Sequence, residues 1–170
     1  MEFKYVVFEV EGGWFGLFGT ENAVFRTCLP ASSSGRCRRE LLKGIDERAK
    51  YDKAYFKSVQ EKVSSYYKGR AVNFSDVPVD ISGLGEFTKR ILTACRTIKS
   101  GKTLTYGQIA IKAGSPKGAR AAGNALAANP LPLIIPCHRI ICANGNPGGY
   151  SGQGGKKTKK KMLDFEKSKS

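Results

Sequence analysis

The spacing of apolar residues changes along this 170-residue chain, and that change constrains the fold more than any other feature. Near the start, β-branched and aromatic residues cluster between glycines, in "KYVVFEV", "WFGLF" and "VFRT". Such runs suit a pleated, half-buried surface, and Gly12-Gly13 supplies a tight turn between the first two. Antiparallel strands are therefore predicted over 4–10, 14–18 and 24–27. The polar stretch "PASSSGRCRRE" reads as a loop. Beyond it the period becomes helical: Phe56, Val59, Val63, Tyr66 and Tyr67 share one face, and Gly69 is a C-terminal stop. "RAVNFSDVPVDISGLGE" then sustains no period and contains Pro78, Gly83 and Gly85. After it, Phe87, Ile91, Ala94, Cys95 and Ile98 return to helical spacing, which makes Cys95 a core thiol. A sheet with its helices, followed by helices alone, gives an α+β chain. We expect an N-terminal domain with a small antiparallel sheet over 1–76, a linker over 77–85, and a mainly helical C-terminal domain over 86–170.

No apolar run approaches the length of a membrane span, and "MEFKYVVFEVEGG" lacks the layout of a secretory signal. A soluble, cytoplasmic monomer with no membrane partner is expected. Lys and Arg number 29 against 14 acidic residues, a formal charge of +15, which favours a polyanionic partner such as nucleic acid. Five lysines fall within 156–161, a run that serves either as a solvated basic tail or as an interaction segment. The five cysteines form no C-x-x-C pair and His138 is the only histidine, so neither a metal nor a cofactor is expected. Cys28 and Cys37 flank a Ser/Gly-rich loop; they form a disulfide or, in a reducing cytosol, stay free.

Thr105 and Gln108 form the pattern T-x-x-Q, a capping box that starts a short helix running to Gly114. Ser115 and Pro116 are then read as the N-cap and first turn of a second helix, "SPKGARAAGNALAANP", closed by Asn129-Pro130. Two short helices around a glycine turn fit a helix-turn-helix, and equally an ordinary helical hairpin. The second helix carries small residues, Ala119, Ala121 and Gly123 among them, with Arg120 as its one long cation. Such a face suits close approach to a narrow groove, or to another helix.

"LIIPCHRII", residues 133–141, interrupts an apolar run with the chain's one imidazole beside a thiol and a guanidinium. The thiolate is the nucleophilic form of cysteine, and only a few per cent is present at neutral pH without a base. On an extended strand Cys137 and His138 point to opposite faces, so a local turn or a bridging water is needed to join them. A buried thiol next to a satisfied core histidine is the alternative.

"NPLPLIIPCHRII" resembles the active-site signature of the O6-alkylguanine-DNA alkyltransferases, Pro-Cys-His-Arg followed by an aliphatic residue. "LTYGQIA", "SPKGARAAGNALAANP" and "GYSG" stand in the order and spacing of that family, so the resemblance covers nearly all of 87–166. It implies direct-reversal DNA repair. An alkyl group on guanine O6, with thymine O4 as a second site, passes once and irreversibly to Cys137. His138 acts through a water as base, oriented by a carboxylate for which Asp164 and Glu166 compete; "KKKMLDFE" matches the family pattern best with Glu166. Tyr106 is implied to donate to guanine N3, Tyr150 and Ser151 to line the pocket near O6, Pro132 to form its wall, and Asn129 to hinge the recognition helix to the nucleophile. Arg120 fills the gap left by a flipped base, and Ala119, Ala121, Gly123, Thr105, Ser115 and Lys117 face double-stranded DNA from its minor groove. Arg139 is expected to tie the hinge to the interdomain surface.

Three other readings compete. A sequence-specific regulator with a structural Cys-His pair discriminates among unmodified DNAs. A thiol hydrolase or redox protein turns over a small substrate. A binder that recognises the lesion without repairing it lacks the nucleophile, which Cys137 here supplies.

Overall fold

The computed structural model describes residues 1–45 and 48–169. The chain forms two compact units, Met1–Asp80 and Ile81–Ser170.

In the first unit, β1 (Lys4–Val10), β2 (Gly13–Gly19) and β3 (Val24–Ala31) are an antiparallel meander. The pairing Tyr5↔Phe18 and Val7↔Gly16 fixes one face, and Val6↔Leu17 and Phe8↔Phe15 the other. Helix α1 (Ser34–Leu41) covers the first face. It lies within the stretch read as a loop. Its signal was faint because only Cys37 and Leu41, four residues apart, are buried, while Ser33 caps its start by accepting the Arg36 N–H. Gly16 is what lets α1 approach: a Cβ there would stand 2.9 Å from Leu41 and 3.1 Å from Cys37 Sγ. Cys28 and Cys37 are free thiols in this core. The two-residue strand β4 (Lys50–Tyr51) pairs parallel with β1, giving the order β3-β2-β1-β4. Helix α2 (Lys57–Tyr67) packs on the opposite face, where Tyr67 meets Phe15.

The second unit is built on α3 (Glu86–Arg96), which buries Ile91, Leu92, Ala94 and Cys95. The strand pair β5 (Leu104–Thr105) and β6 (Ile140–Ile141) is parallel, and α4 (Tyr106–Lys112) follows β5 directly. The Thr105–Gln108 capping box is present with both of its hydrogen bonds. Helix α5 is shorter than expected, Ala119–Ala127. Ser115 is not its N-cap and Pro116 is not in its first turn. Gly114, at φ +79°, closes α4, the Ser115 N–H returns to Ala110 O at 2.8 Å, and the Ser115 carbonyl accepts the Gly118 N–H at 2.9 Å. That turn consumes the residues that would have capped α5. The lysine-rich tail is helix α6 (Gly155–Lys167), with Lys159, Met162 and Glu166 buried. No helix among the described residues is long and apolar enough to cross a membrane.

Candidate active site

Between α5 and β6 the chain is held by one side chain. Asn129 Oδ1 accepts the Leu131 N–H at 2.9 Å, while its Nδ2 donates to Ile135 O at 3.0 Å and to Cys137 Sγ at 3.1 Å. Leu133 within this loop sits at φ +76°, a conformation that a branched residue holds only when its surroundings dictate it. Leu131, Leu133, Ile134 and Ile135 are all buried, and that anchoring is the source of the constraint.

Cys137–Arg139 then form one turn of 3-10 helix, closed by the Arg139 N–H on Pro136 O at 2.9 Å. The turn removes the strict opposition of neighbouring side chains that a strand imposes. His138 is fully buried, and its Nε2 stands 2.6 Å from Glu166 Oε1. Glu166, 1% exposed, also receives Arg139 Nε at 2.8 Å on Oε2 and Nη2 at 3.0 Å on Oε1. Asp164, the competing carboxylate, two residues earlier on the same helix, is exposed.

These contacts settle the protonation states. Burial alone would raise the Glu166 carboxyl, but hydrogen bonds from His138 and Arg139 outweigh it and hold the group down to about 2. Glu166 is therefore ionised and can only accept, so His138 Nε2 carries the proton that joins them. Burial pulls the imidazole below its ordinary range despite the carboxylate, which keeps the ring neutral. Its lone pair is then on Nδ1, which is buried and has no protein hydrogen-bond partner among the described residues. An imidazole with one nitrogen fixed by a carboxylate and the other left as acceptor is a poised general base.

Cys137 is 6% exposed, and burial pushes its thiol above the ordinary range, with Asn129 and Lys159 pulling the other way. Such a thiol is mostly protonated at rest and needs a base to react. Lys159, 1% exposed, is the site residue that sequence reasoning left without a role. Its Nζ donates to Gly149 O at 3.1 Å and to the Tyr106 hydroxyl at 3.4 Å, and lies 5.6 Å from the Tyr106 ring centroid. Burial lowers its pKa, while the thiols of Cys137, Cys142 and Cys95 oppose that shift. The signal available was its position, three residues before Met162 and seven before Glu166 on one helical face. Arg139, besides Glu166, donates to Ile98 O at 2.5 Å.

The remaining predicted residues are spread around this cluster. Tyr106 opens α4, and its ring lies 3.8 Å from where a Cβ on Gly123 would be. On α5, Ala119, Arg120 and Ala121 are exposed and Gly123 is half-buried toward Tyr106. Lys117 is exposed, Ser115 half-buried in the turn, and the Thr105 hydroxyl engaged in its cap. Tyr150, half-buried, directs its hydroxyl toward Met162 Sδ at 3.8 Å; Ser151 is exposed beside it, and Pro132 is half-buried in the loop. Among the described residues no group of three His, Cys, Asp or Glu side chains is placed to hold a metal.

Known proteins resemble this chain in sequence and in fold. Residues 86–168 match the family model for the DNA-binding domain of 6-O-methylguanine DNA methyltransferase. A methylated-DNA–protein-cysteine methyltransferase of Methanothermobacter thermautotrophicus is 41% identical over 110 residues, which is 65% of this chain and 60% of that protein. A protein of the same name from Mycobacterium tuberculosis is 39% identical over 118 residues, 69% of either chain. The crystal structure of Mycobacterium tuberculosis OGT in complex with DNA superposes with a TM-score of 0.80 at 31% identity, covering 97% of this chain and 93% of that one.

Proposed function

Because the chain belongs to the methylated-DNA–protein-cysteine methyltransferase family, we propose that it repairs O6-alkylguanine in double-stranded DNA by a single irreversible transfer to Cys137. The observation that carries this reading is the buried Glu166–His138 pair beside a thiol that burial keeps protonated. A water on His138 Nδ1 relays the Cys137 proton to the imidazole, and Glu166 stabilises the imidazolium that results. The thiolate attacks the carbon on guanine O6, forming a C–S bond as the C–O bond breaks. Tyr106 donates a hydrogen bond or a proton to N3 of the leaving purine; a proton given up there is replaced by the one the imidazolium took from Cys137. The thioether product has no bond that water cleaves readily, so the protein acts once. Thymine O4 adducts are a second candidate substrate.

The target carbon lies inside a duplex, and reaching it requires extrusion of the base at a cost of a few kcal/mol. The exposed small residues Ala119 and Ala121 support α5 as the second member of a helix-turn-helix in the minor groove, with Arg120 filling the stack. Minor-groove edges are nearly degenerate, which fits a repair protein indifferent to sequence. Thr105, Ser115 and Lys117 lie on or beside the turns flanking α4 and α5, and serve as backbone contacts; Gly123 serves by letting Tyr106 lie against α5. Tyr150, Ser151 and Pro132 line the base pocket, and Asn129 hinges α5 to the nucleophile. The protein acts as a cytoplasmic monomer.

Incubation with O6-methylguanine duplex, followed by mass analysis of the peptide containing Cys137, tests the reading. One equivalent gaining the mass of a methylene is expected, and an unmodified peptide from folded protein refutes it. Arg120→Ala is expected to slow repair of duplex more than reaction with free O6-benzylguanine; equal losses remove its role in flipping.

A further inference from the structure

Helix α6 has two dissimilar sides. Lys159, Met162 and Glu166 dock it inward, while Lys156, Lys157, Lys160 and Lys161 are exposed on its first two turns. Several local features disfavour those four lysines. Lys156 and Lys157 stand in the first turn, at the positive end of the helix dipole, which favours acidic side chains, and that turn contains none. Lys156–Lys160 and Lys157–Lys161 are like-charge pairs at i,i+4, which repel. Gly154 at the N-cap offers no side chain to the helix's first N–H groups. Among the described residues, no carboxylate is in ion-pair contact with any of the four. Violations of local rules that docking does not require mark a surface shaped by a binding partner. The missing element is negative charge, and phosphate supplies it to the ammonium groups.

We propose that this face of α6 is a second phosphate-binding surface for duplex DNA, distinct from α5. It rests on the DNA-repair reading above. The two surfaces belong to one unit and are connected through Tyr106, which Lys159 of α6 contacts and whose ring lies against Gly123 of α5. The lysines would add sequence-independent, salt-sensitive affinity and leave the chemistry alone.

The test compares binding of a duplex oligonucleotide across a salt series for the intact protein and for the variant Lys156→Gln, Lys157→Gln, Lys160→Gln and Lys161→Gln. Every phosphate that the variant leaves unneutralised lowers the slope of log K against log salt by roughly 0.9, so a fall of about two to four is expected. Reaction with free O6-benzylguanine should be unchanged, and the melting temperature unchanged or higher. A control with the same loss of charge on the first unit, Lys53→Gln, Lys57→Gln, Lys68→Gln and Arg70→Gln, should keep the native slope. An equal fall in the control, or an unchanged slope in the α6 variant of a protein that binds DNA steeply, overturns the proposal. So does loss of binding to phosphatidylserine vesicles with the DNA slope intact, which would assign the surface to membranes. Absence of DNA binding by the intact protein at any salt removes the repair reading itself.

Discussion

Replacing Glu166 by Gln changes one atom's identity and should disable the site in two measurable ways. The carboxylate accepts from His138 Nε2, from Arg139 Nε and from Arg139 Nη2 at 2.6, 2.8 and 3.0 Å. An amide has only one acceptor oxygen, and Oε1 serves both His138 Nε2 and Arg139 Nη2. With its NH2 in the place of Oε1, it would oppose Nη2 donor to donor and force the imidazole proton onto Nδ1, abolishing the base; with its NH2 in the place of Oε2, it would oppose Arg139 Nε. The folded carboxyl is held at about 2 against an ordinary 4.5, a gap of about 2.5 units and so about 3 kcal/mol of stability. Because the folded value is the depressed one, that stability is complete above pH ~4.5 and disappears as pH falls toward ~2. At neutral pH the variant should lose about 3 kcal/mol, roughly 6–12 °C in melting temperature for a chain of this size. Its stability should also fall less between pH ~4.5 and ~2 than the native protein's, because the Glu166 contribution is missing from that window. Single-turnover transfer should slow by about a thousandfold or more, as when the acid that fixes a catalytic histidine's tautomer becomes an amide. A folded variant that transfers at the native rate would refute the orienting role, and an unchanged melting temperature would refute the energetics.

His138, as the sole histidine, gives a single imidazole signal, and NMR titration should place its midpoint below the ordinary 6.5 because burial disfavours the charged ring. A midpoint at or above that value would contradict the neutral-base assignment. Asn129→Ala leaves the Leu131 N–H without its acceptor, while Ile135 O keeps the Cys137 N–H, and should cost about 1–3 kcal/mol by denaturant unfolding, with slower transfer; unchanged stability would show that the loop holds itself. Gly16→Ala should destabilise the first unit by about 1–3 kcal/mol, since the new methyl meets Leu41 and Cys37. A variant as stable as the native protein would mean α1 can shift at little cost.

The strands were legible because alternating or continuous β-branched and aromatic runs between glycines leave few other options. The start of α4 was legible because Thr105 and Gln108 satisfy each other locally, whatever surrounds them. Glu166 was legible only through the family pattern, since nothing local distinguishes it from Asp164. Tertiary contact decided the rest. Helix α1 exists to bury Cys37 and Leu41 against Gly16, too thin a stripe to see in sequence. The parallel pairs β1–β4 and β5–β6 are two residues each and are set by where the chain returns. Ser115 met the rules for an N-cap, but its backbone closes the preceding helix instead. The role of Lys159 depends on burial, which a run of five lysines conceals.

His138 and Glu166 are 28 residues apart, and the link between them exists only while α6 is seated. Opening of that helix would strip the imidazole of its anchor and the sulfur of its nearby cation. What remains is a thiol with no fixed base to take its proton. In the repair reading, base-assisted transfer is thus conditional on assembly: only a molecule whose last helix is in place has the carboxylate that fixes its imidazole.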